Sequence, residues 1–230
     1  MRKLILLVLV AAGLSGFAQT PFGNPSHATP EAKNTDNYLL VKQQYVLSYN
    51  NSKGTPNWVS WSVRKKDIGD AGRQNDFHAE KDLPAGFQRV TPADYDNSGY
   101  DRGHMCDSKD RTASVKDNQE TFSMANMQPQ AKKLNEVTWK ALEDYSRTLV
   151  AKGDTLQIIA GCYGSRGHIG KVHSVNVPAR CWKIVEDGAT VIAVDMPNLD
   201  SVDEKPWKDY SVTVAAIEKA TGFKFAIPKH

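Results

Sequence analysis

The residue types best suited to catalysis occur together in one short stretch, Tyr100-Asp101-Arg102-Gly103-His104-Met105. His104 can take a proton from water near neutral pH, and the guanidinium of Arg102, two residues away, can hold a phosphate oxygen. Gly103 would let the backbone approach a bulky ligand closely. This combination suits phosphodiester hydrolysis, whereas a histidine beside an arginine with no further partners is more often a surface or structural feature.

Further polar residues occupy a predicted helix downstream. Apolar residues recur there mostly at spacings of three and four, which predicts an amphipathic helix near 130–151 that ends at Gly153. Asn135, Glu143 and Arg147 follow one another at i, i+8 and i+12, along a stripe beside the apolar one. An amide oxygen at Asn135 suits magnesium, and a carboxylate at Glu143 could hold the waters of that metal. A solvated helix face is the alternative interpretation of these three residues.

Several motifs in fixed order resemble one known family. They are Asp101-Arg102-Gly103-His104, Asn126-Met-Gln-Pro-Gln130, Leu134-Asn135 and Trp139-Lys-Ala-Leu-Glu143, with Asn57-Trp-Val-Ser-Trp61 before them and Ile217-Glu-Lys-Ala-Thr-Gly222 at the end. This pattern is similar to the DNA/RNA non-specific endonucleases, the secreted sugar-non-specific nucleases with a ββα-metal (His-Me finger) site. The resemblance covers most of the chain after about residue 38. The chain differs from many members at Cys106-Asp107, where they carry Ala-Pro.

The resemblance implies a role for each matching residue at the reaction centre. His104 matches the general base, and Asn135 the direct ligand of magnesium, with manganese as the alternative metal. Glu143 matches the carboxylate that orients metal-bound water. Arg102 matches an arginine of the phosphate site, and Arg73, in Gly72-Arg-Gln-Asn-Asp-Phe77, an upstream arginine that contacts the transition state.

Two more matches are supporting polar residues that the resemblance places in substrate binding, Asn126 and Arg147. In this family the base lies on a hairpin strand and the metal ligand on the helix that crosses it. Contacts to phosphate rather than to base edges would give cleavage of DNA and RNA with little sequence preference.

The N-terminal residues have the pattern of an export signal. Arg2-Lys3 precede an apolar run from Leu4 to Val10, and Gly16-Phe17-Ala18 provides a small-x-small cleavage site. We therefore expect a signal peptide at 1–18, a flexible leader at 19–37 rich in Pro, Asn, Thr and Ser, and one domain at 38–230. This organisation predicts a secreted or periplasmic protein. No later segment is apolar for long enough to cross a bilayer, so no membrane partner is expected.

The net charge limits how the chain could bind nucleic acid. The formal charge of +3 at pH 7 becomes +1 if Arg2 and Lys3 are removed. A field spread over the whole protein is therefore weak, and binding must come from a local basic patch. Arg64-Lys65-Lys66 and Lys132-Lys133 are candidates, although such runs are most often solvated faces. The charge pattern leaves the oligomeric state open.

Three cysteines in an exported chain leave one unpaired. Cys162 and Cys181 both lie in or beside predicted strands, so a bridge between neighbouring strands is expected. Cys106, next to the catalytic motif, is then the free thiol.

The order of the remaining elements predicts an α+β domain, a mostly antiparallel sheet with packed helices. Strands are predicted at 45–49, 58–63, 156–161, 181–185 and 190–195, and a second helix at 212–220 that stops at Gly222. The function predicted is a magnesium-dependent endonuclease. The rival hypotheses are a phosphodiesterase for another substrate on the same site and an exported protein that binds nucleic acid without turnover.

Overall fold

A six-stranded antiparallel sheet forms the centre of the computed structural model, which describes residues 21 to 227. Its strand order is β1-β2-β3-β6-β9-β10, while β4 pairs with β5 and β7 with β8 in two separate two-stranded sheets. The strands are β1 Tyr38–Val41, β2 Val46–Asn50, β3 Thr55–Val63, β4 Asp101–His104, β5 Met127–Gln130, β6 Leu156–Tyr163, β7 His168–Ile169, β8 Val175–Asn176, β9 Arg180–Glu186 and β10 Val191–Pro197. The predicted α+β class and its mostly antiparallel sheet are confirmed. The predicted signal peptide at 1–18 lies outside the described residues.

Three α-helices accompany the sheet in the described part of the chain: α1 Val115–Glu120, α2 Lys140–Lys152 and α3 Val214–Thr221. Glycines with positive φ follow α2 and α3, at Gly153 (φ 112°) and Gly222 (φ 77°), a conformation that favours glycine. Both predicted helix ends are therefore confirmed. The predicted start is not, because Gln130 belongs to β5.

Both faces of the central sheet are apolar, as the alternation of side chains along its strands requires. Trp61 faces the cluster that contains Trp139 and Leu142, so this face is covered by α2 and the turn before it. Trp58 belongs to the opposite cluster, which Ile217 of α3 completes. The sheet is thus a middle layer with helices on both sides.

The prediction of a flexible leader is wrong from Phe22 onward. The Phe22 ring is fully buried in the cluster that contains Trp58 and Phe225. The Asn37 side chain accepts a hydrogen bond from Ser26 Oγ at 2.7 Å and donates one to the Ser26 carbonyl at 2.7 Å. Burial of a large aromatic ring outweighs the polar composition of the segment, so the domain extends N-terminally to Phe22.

The predicted disulfide is confirmed. Cys162 and Cys181 are directly opposed in the register of β6 and β9 and are bonded, while Cys106 is buried and free. Across residues 21 to 227, no helix combines the length and the apolar character that crossing a bilayer requires.

The Asp101–His104 motif lies in a long segment between two neighbouring strands of the central sheet. Val63, the last residue of β3, pairs directly with Leu156, the first residue of β6. The chain between Val63 and Leu156, which includes the β4–β5 hairpin and α2, packs on one face of the sheet. Its two ends meet where β3 pairs with β6.

Candidate active site

The imidazole of His104 is held at the end of the β4–β5 hairpin, opposite Met127. His104 is 7 % exposed, and the centroid of its ring lies 5.7 Å from that of Phe77 and 4.9 Å from that of Phe122. Within residues 21 to 227, its Nε2 is buried without a hydrogen-bond partner.

The surroundings of His104 keep the ring neutral. Burial lowers the pKa of His104 to about 3, the charge of Arg73 acts in the same direction, and Asp107 opposes both. A pKa in that range makes the unprotonated form dominant at pH 7, which is the form a general base needs.

Two arginines share the aromatic support of His104. Arg102 Cζ lies 4.6 Å from the centroid of the Phe77 ring, and Arg73 Cζ lies 4.9 Å from that of Phe122. Arg73 Nη1 also donates to Ser108 Oγ at 2.8 Å. The sequence predicted both arginines but not the two phenylalanines, because nothing in the sequence indicates that two residues 45 positions apart share one site.

Gly103 has a different role from the predicted one. A Cβ on Gly103 would lie 2.0 Å from Oε1 of Gln130, which occupies the space beside it. Gly103 is also buried. Its lack of a side chain lets the two hairpin strands pack closely, rather than admitting a ligand.

Asn135 lies in a π-helical turn, Leu134–Trp139, directly before α2. In a regular α-helix a separation of eight residues would set Asn135 and Glu143 about 80° apart around the axis. A π turn accommodates one extra residue, which reduces that offset to about 20°. The turn therefore brings Asn135 and Glu143 onto one face of the helix, with a smaller angular offset than the sequence analysis predicted. Asn135 Nδ2 donates to Asp101 Oδ2 at 3.0 Å, which fixes the amide and leaves Oδ1 as its remaining polar atom.

Glu143 is held from the side of the sheet. Its Oε1 lies 3.0 Å from Nζ of Lys183, which is on β9. Burial raises the pKa of Glu143, with Asp107 adding to the effect and Lys183 opposing it. Sequence analysis missed Lys183, although its position between Cys181 and Val185, both inward-facing, was a signal that its side chain is buried.

The structure corrects the substrate-binding prediction for Asn126. Its side chain is fully buried, and its Nδ2 donates to the carbonyls of Cys106 and Thr121, each at 2.9 Å. Its Oδ1 accepts from the Cys106 backbone N–H at 2.9 Å. Since both polar atoms are engaged with backbone, Asn126 fixes the segment after His104 and does not reach the pocket.

Arg147 lines the pocket, but its guanidinium is already engaged by carboxylates. It forms a close ion pair with Asp107, another with Asp110 at 3.2 Å and a third with Asp144 at 2.6 Å. Three acidic partners neutralise its charge, so the structure gives Arg147 the role of holding Asp107 rather than a free phosphate-binding cation. Asp107 is thereby part of the site.

These side chains surround a pocket of about 440 Å³ whose lining is entirely polar or charged. The lining residues are Arg73, Arg102, His104, Asp107, Lys109, Asn135, Glu136, Lys140, Glu143 and Arg147. The pocket thus brings together the predicted base, metal ligand, carboxylate and three arginines. Of the predicted site residues, only Asn126 does not line it. Lys109 and Lys140 were not predicted. Lys140 is paired with Asp144, and Lys109 adds positive charge that suits a phosphate backbone.

The residues present suit a hard divalent cation with few protein ligands. Among residues 21 to 227, no three His, Cys, Asp or Glu side chains are grouped to hold a metal. The oxygen donors that line the pocket include the Asn135 amide and the Glu143 carboxylate. Magnesium keeps most of its waters and often takes one or two protein ligands, so this donor set fits it.

Comparisons with known proteins bear on the family and the fold of the chain. The profile of the DNA/RNA non-specific endonucleases matches residues 23–228. The chain is 49 % identical to a nuclease of Nostoc sp., over 88 % of this chain and 78 % of that protein. It is 30 % identical to mitochondrial endonuclease G of Bos taurus, over 97 % of this chain and 81 % of that protein. The solved EndoG/EndoGI complex contains a chain of the same fold, with a TM-score of 0.71 and 24 % identity over 85 % of this chain and 91 % of that one.

Proposed function

The chain belongs to the DNA/RNA non-specific endonuclease family, and we propose that it is a magnesium-dependent, exported member that cuts DNA and RNA with little sequence preference. The observation that carries the proposal is the pocket itself, where the neutral His104, the arginines Arg73 and Arg102 and the Asn135 amide line one cavity.

In this proposal His104 takes the proton of the water that attacks phosphorus. The P–O bond to the leaving oxygen then breaks in line with the attack. Arg102 and Arg73 bind the non-bridging phosphate oxygens and stabilise the negative charge that grows on them. Asn135 and Glu143 are the residues that would hold magnesium and its waters. Magnesium, when bound, supplies further neutralisation of phosphate and leaving-group charge.

Low sequence preference follows from the chemistry of the pocket lining. Its cationic side chains can contact phosphate, which every sequence and both sugar types present. Affinity should then fall steeply as salt rises, because binding releases counterions from the nucleic acid.

The test uses plasmid DNA and a long RNA, each with magnesium and with EDTA, for the wild type and His104→Ala. We expect cleavage of both substrates by the wild type, loss of cleavage with EDTA and about 10²–10⁴-fold slower turnover for the variant. Sequencing the cut ends from random-sequence substrates then tests specificity. A sharp motif at the ends, activity on one sugar type only, or a His104→Ala rate close to the wild type would contradict the proposal.

Export is supported by the signal pattern at 1–18 and by the Cys162–Cys181 bond, since disulfides persist in oxidising compartments. Fractionation of the native host, with an antibody to the chain, tests this. Recovery from the cytosol with free thiols at both cysteines would refute export.

A further inference from the structure

A lysine lies buried beneath the proposed site. Lys183 is 2 % exposed, in the middle of β9, between Ala160 of β6 and Val194 of β10. Lysine is almost never fully buried without a partner, because its ammonium loses its water shell. The mechanism above does not use this residue.

The contacts of Lys183 direct its ammonium group toward Glu143. Its Nζ lies 4.2 Å from the centroid of the Trp139 ring and 5.8 Å from that of Trp61, so two aromatic faces border the ammonium. Within residues 21 to 227, its one hydrogen-bonded partner is Glu143, at 3.0 Å through Oε1.

The ion pair restricts how Glu143 can turn. Oε1 is held from the sheet side, and in the described part of the chain Oε2 makes no hydrogen bond, while the residue lines the pocket. Trp139 belongs to the π turn that also carries Asn135. Lys183 therefore connects the sheet to both residues proposed to hold magnesium and its waters.

We propose that Lys183 is a positioning residue for the nuclease reaction, which fixes the Glu143 carboxylate with one oxygen toward the pocket. The proposal rests on the proposed function, since it assigns Lys183 to that same site. Stability alone does not explain a lysine at this position, because well-packed apolar residues often replace a buried ion pair without loss of stability.

The test compares Lys183→Met with Lys42→Met. Lys42 is a matched control, because it too forms a largely buried ion pair, with Glu80 at 3.2 Å, and it is not among the residues that line the pocket. We expect Lys183→Met to lower kcat by about 10–100-fold, the range typical of groups that orient metal-bound ligands, with KM within about threefold of the wild type. Lys42→Met should change the thermal midpoint but not kcat.

A double-mutant cycle with Glu143→Gln shows whether Lys183 acts through Glu143. If it does, adding Lys183→Met to Glu143→Gln slows turnover no further. Magnesium titration by calorimetry, without substrate, gives a second readout that a purely structural role would not move. We expect weaker binding for Lys183→Met and wild-type binding for Lys42→Met.

Lys183→Gln, which keeps a polar head group, extends the test if the methionine variant does not fold. A folded variant at Lys183 with wild-type kcat and metal binding overturns the proposal, as does failure of both variants to fold while Glu143→Gln folds. Absence of cleavage by the wild type would instead refute the proposed function. Cleavage that needs Glu143 but not Lys183 would refute only the positioning role.

Discussion

Acid should destabilise the protein partly through His104. The pKa of this histidine is lowered from its ordinary value of 6.5 to about 3, chiefly by burial. The folded state therefore binds the proton more weakly than the unfolded chain, and protonation favours unfolding. The stability that the neutral ring contributes is complete above about pH 6.5 and is lost as pH falls toward 3.

The size of this loss follows from the two pKa values. At about 1.4 kcal/mol per pH unit, the window from 6.5 to 3 corresponds to about 5 kcal/mol. Between pH 8 and pH 5 the linkage relation gives about 2 kcal/mol, a large part of the 5–15 kcal/mol typical of domains. Replacing His104 by glutamine removes this contribution and leaves the other histidines unchanged.

Urea denaturation followed by tryptophan fluorescence can measure the difference, because Trp58, Trp61, Trp139 and Trp182 are all fully buried. The wild type should lose about 2 kcal/mol more than His104→Gln between pH 8 and pH 5. Equal losses in the two proteins would show that the ring is not held neutral by its surroundings.

Three further substitutions test separate parts of the site. Asn135→Ala should weaken magnesium binding in calorimetry, whereas Asn34→Ala, which loses hydrogen bonds in the N-terminal segment, should bind magnesium normally; equal affinities would rule out Asn135 as ligand. Arg147→Met should lower the free energy of unfolding by about 3–5 kcal/mol, because it leaves buried carboxylates without their cation, and a loss under about 1 kcal/mol in urea titration would contradict that role. Gly103→Ala should cost about 1–3 kcal/mol, since its Cβ overlaps the Gln130 side chain, and an unchanged thermal midpoint would argue against the close packing.

Local sequence patterns predicted much of the fold. Alternating apolar residues marked the five long strands β2, β3, β6, β9 and β10, and glycines marked the ends of α2 and α3. The short strands β4 and β5 were foreseen only through the family resemblance, because Asp-Arg-Gly-His and Met-Gln-Pro-Gln have no apolar alternation. The packed N-terminal segment was missed because few apolar residues, chiefly Phe22 and Ala28, bury it against the domain.

The site was predictable where one residue type suffices for the chemistry and not where distant residues cooperate. His104, Asn135 and Glu143 follow from motifs, but the buried ion pair of Glu143 with Lys183 joins residues 40 positions apart. The π turn at Leu134–Trp139 shows in the sequence only as the five-residue spacing between the buried residues Leu134 and Trp139. Arg147 was assigned to substrate because its three acidic partners come together only in the folded chain.

The direct pairing of Val63 with Leu156 has a consequence for folding. The two halves of the sheet join only when a loop of about 90 residues closes, and closure of such a loop costs about 4 kcal/mol of chain entropy. The β3–β6 ladder is therefore a long-range contact of the kind that slows folding. His104 and Asn135 both lie inside that loop, so the segment that carries the proposed catalytic groups is the one whose ends this closure joins.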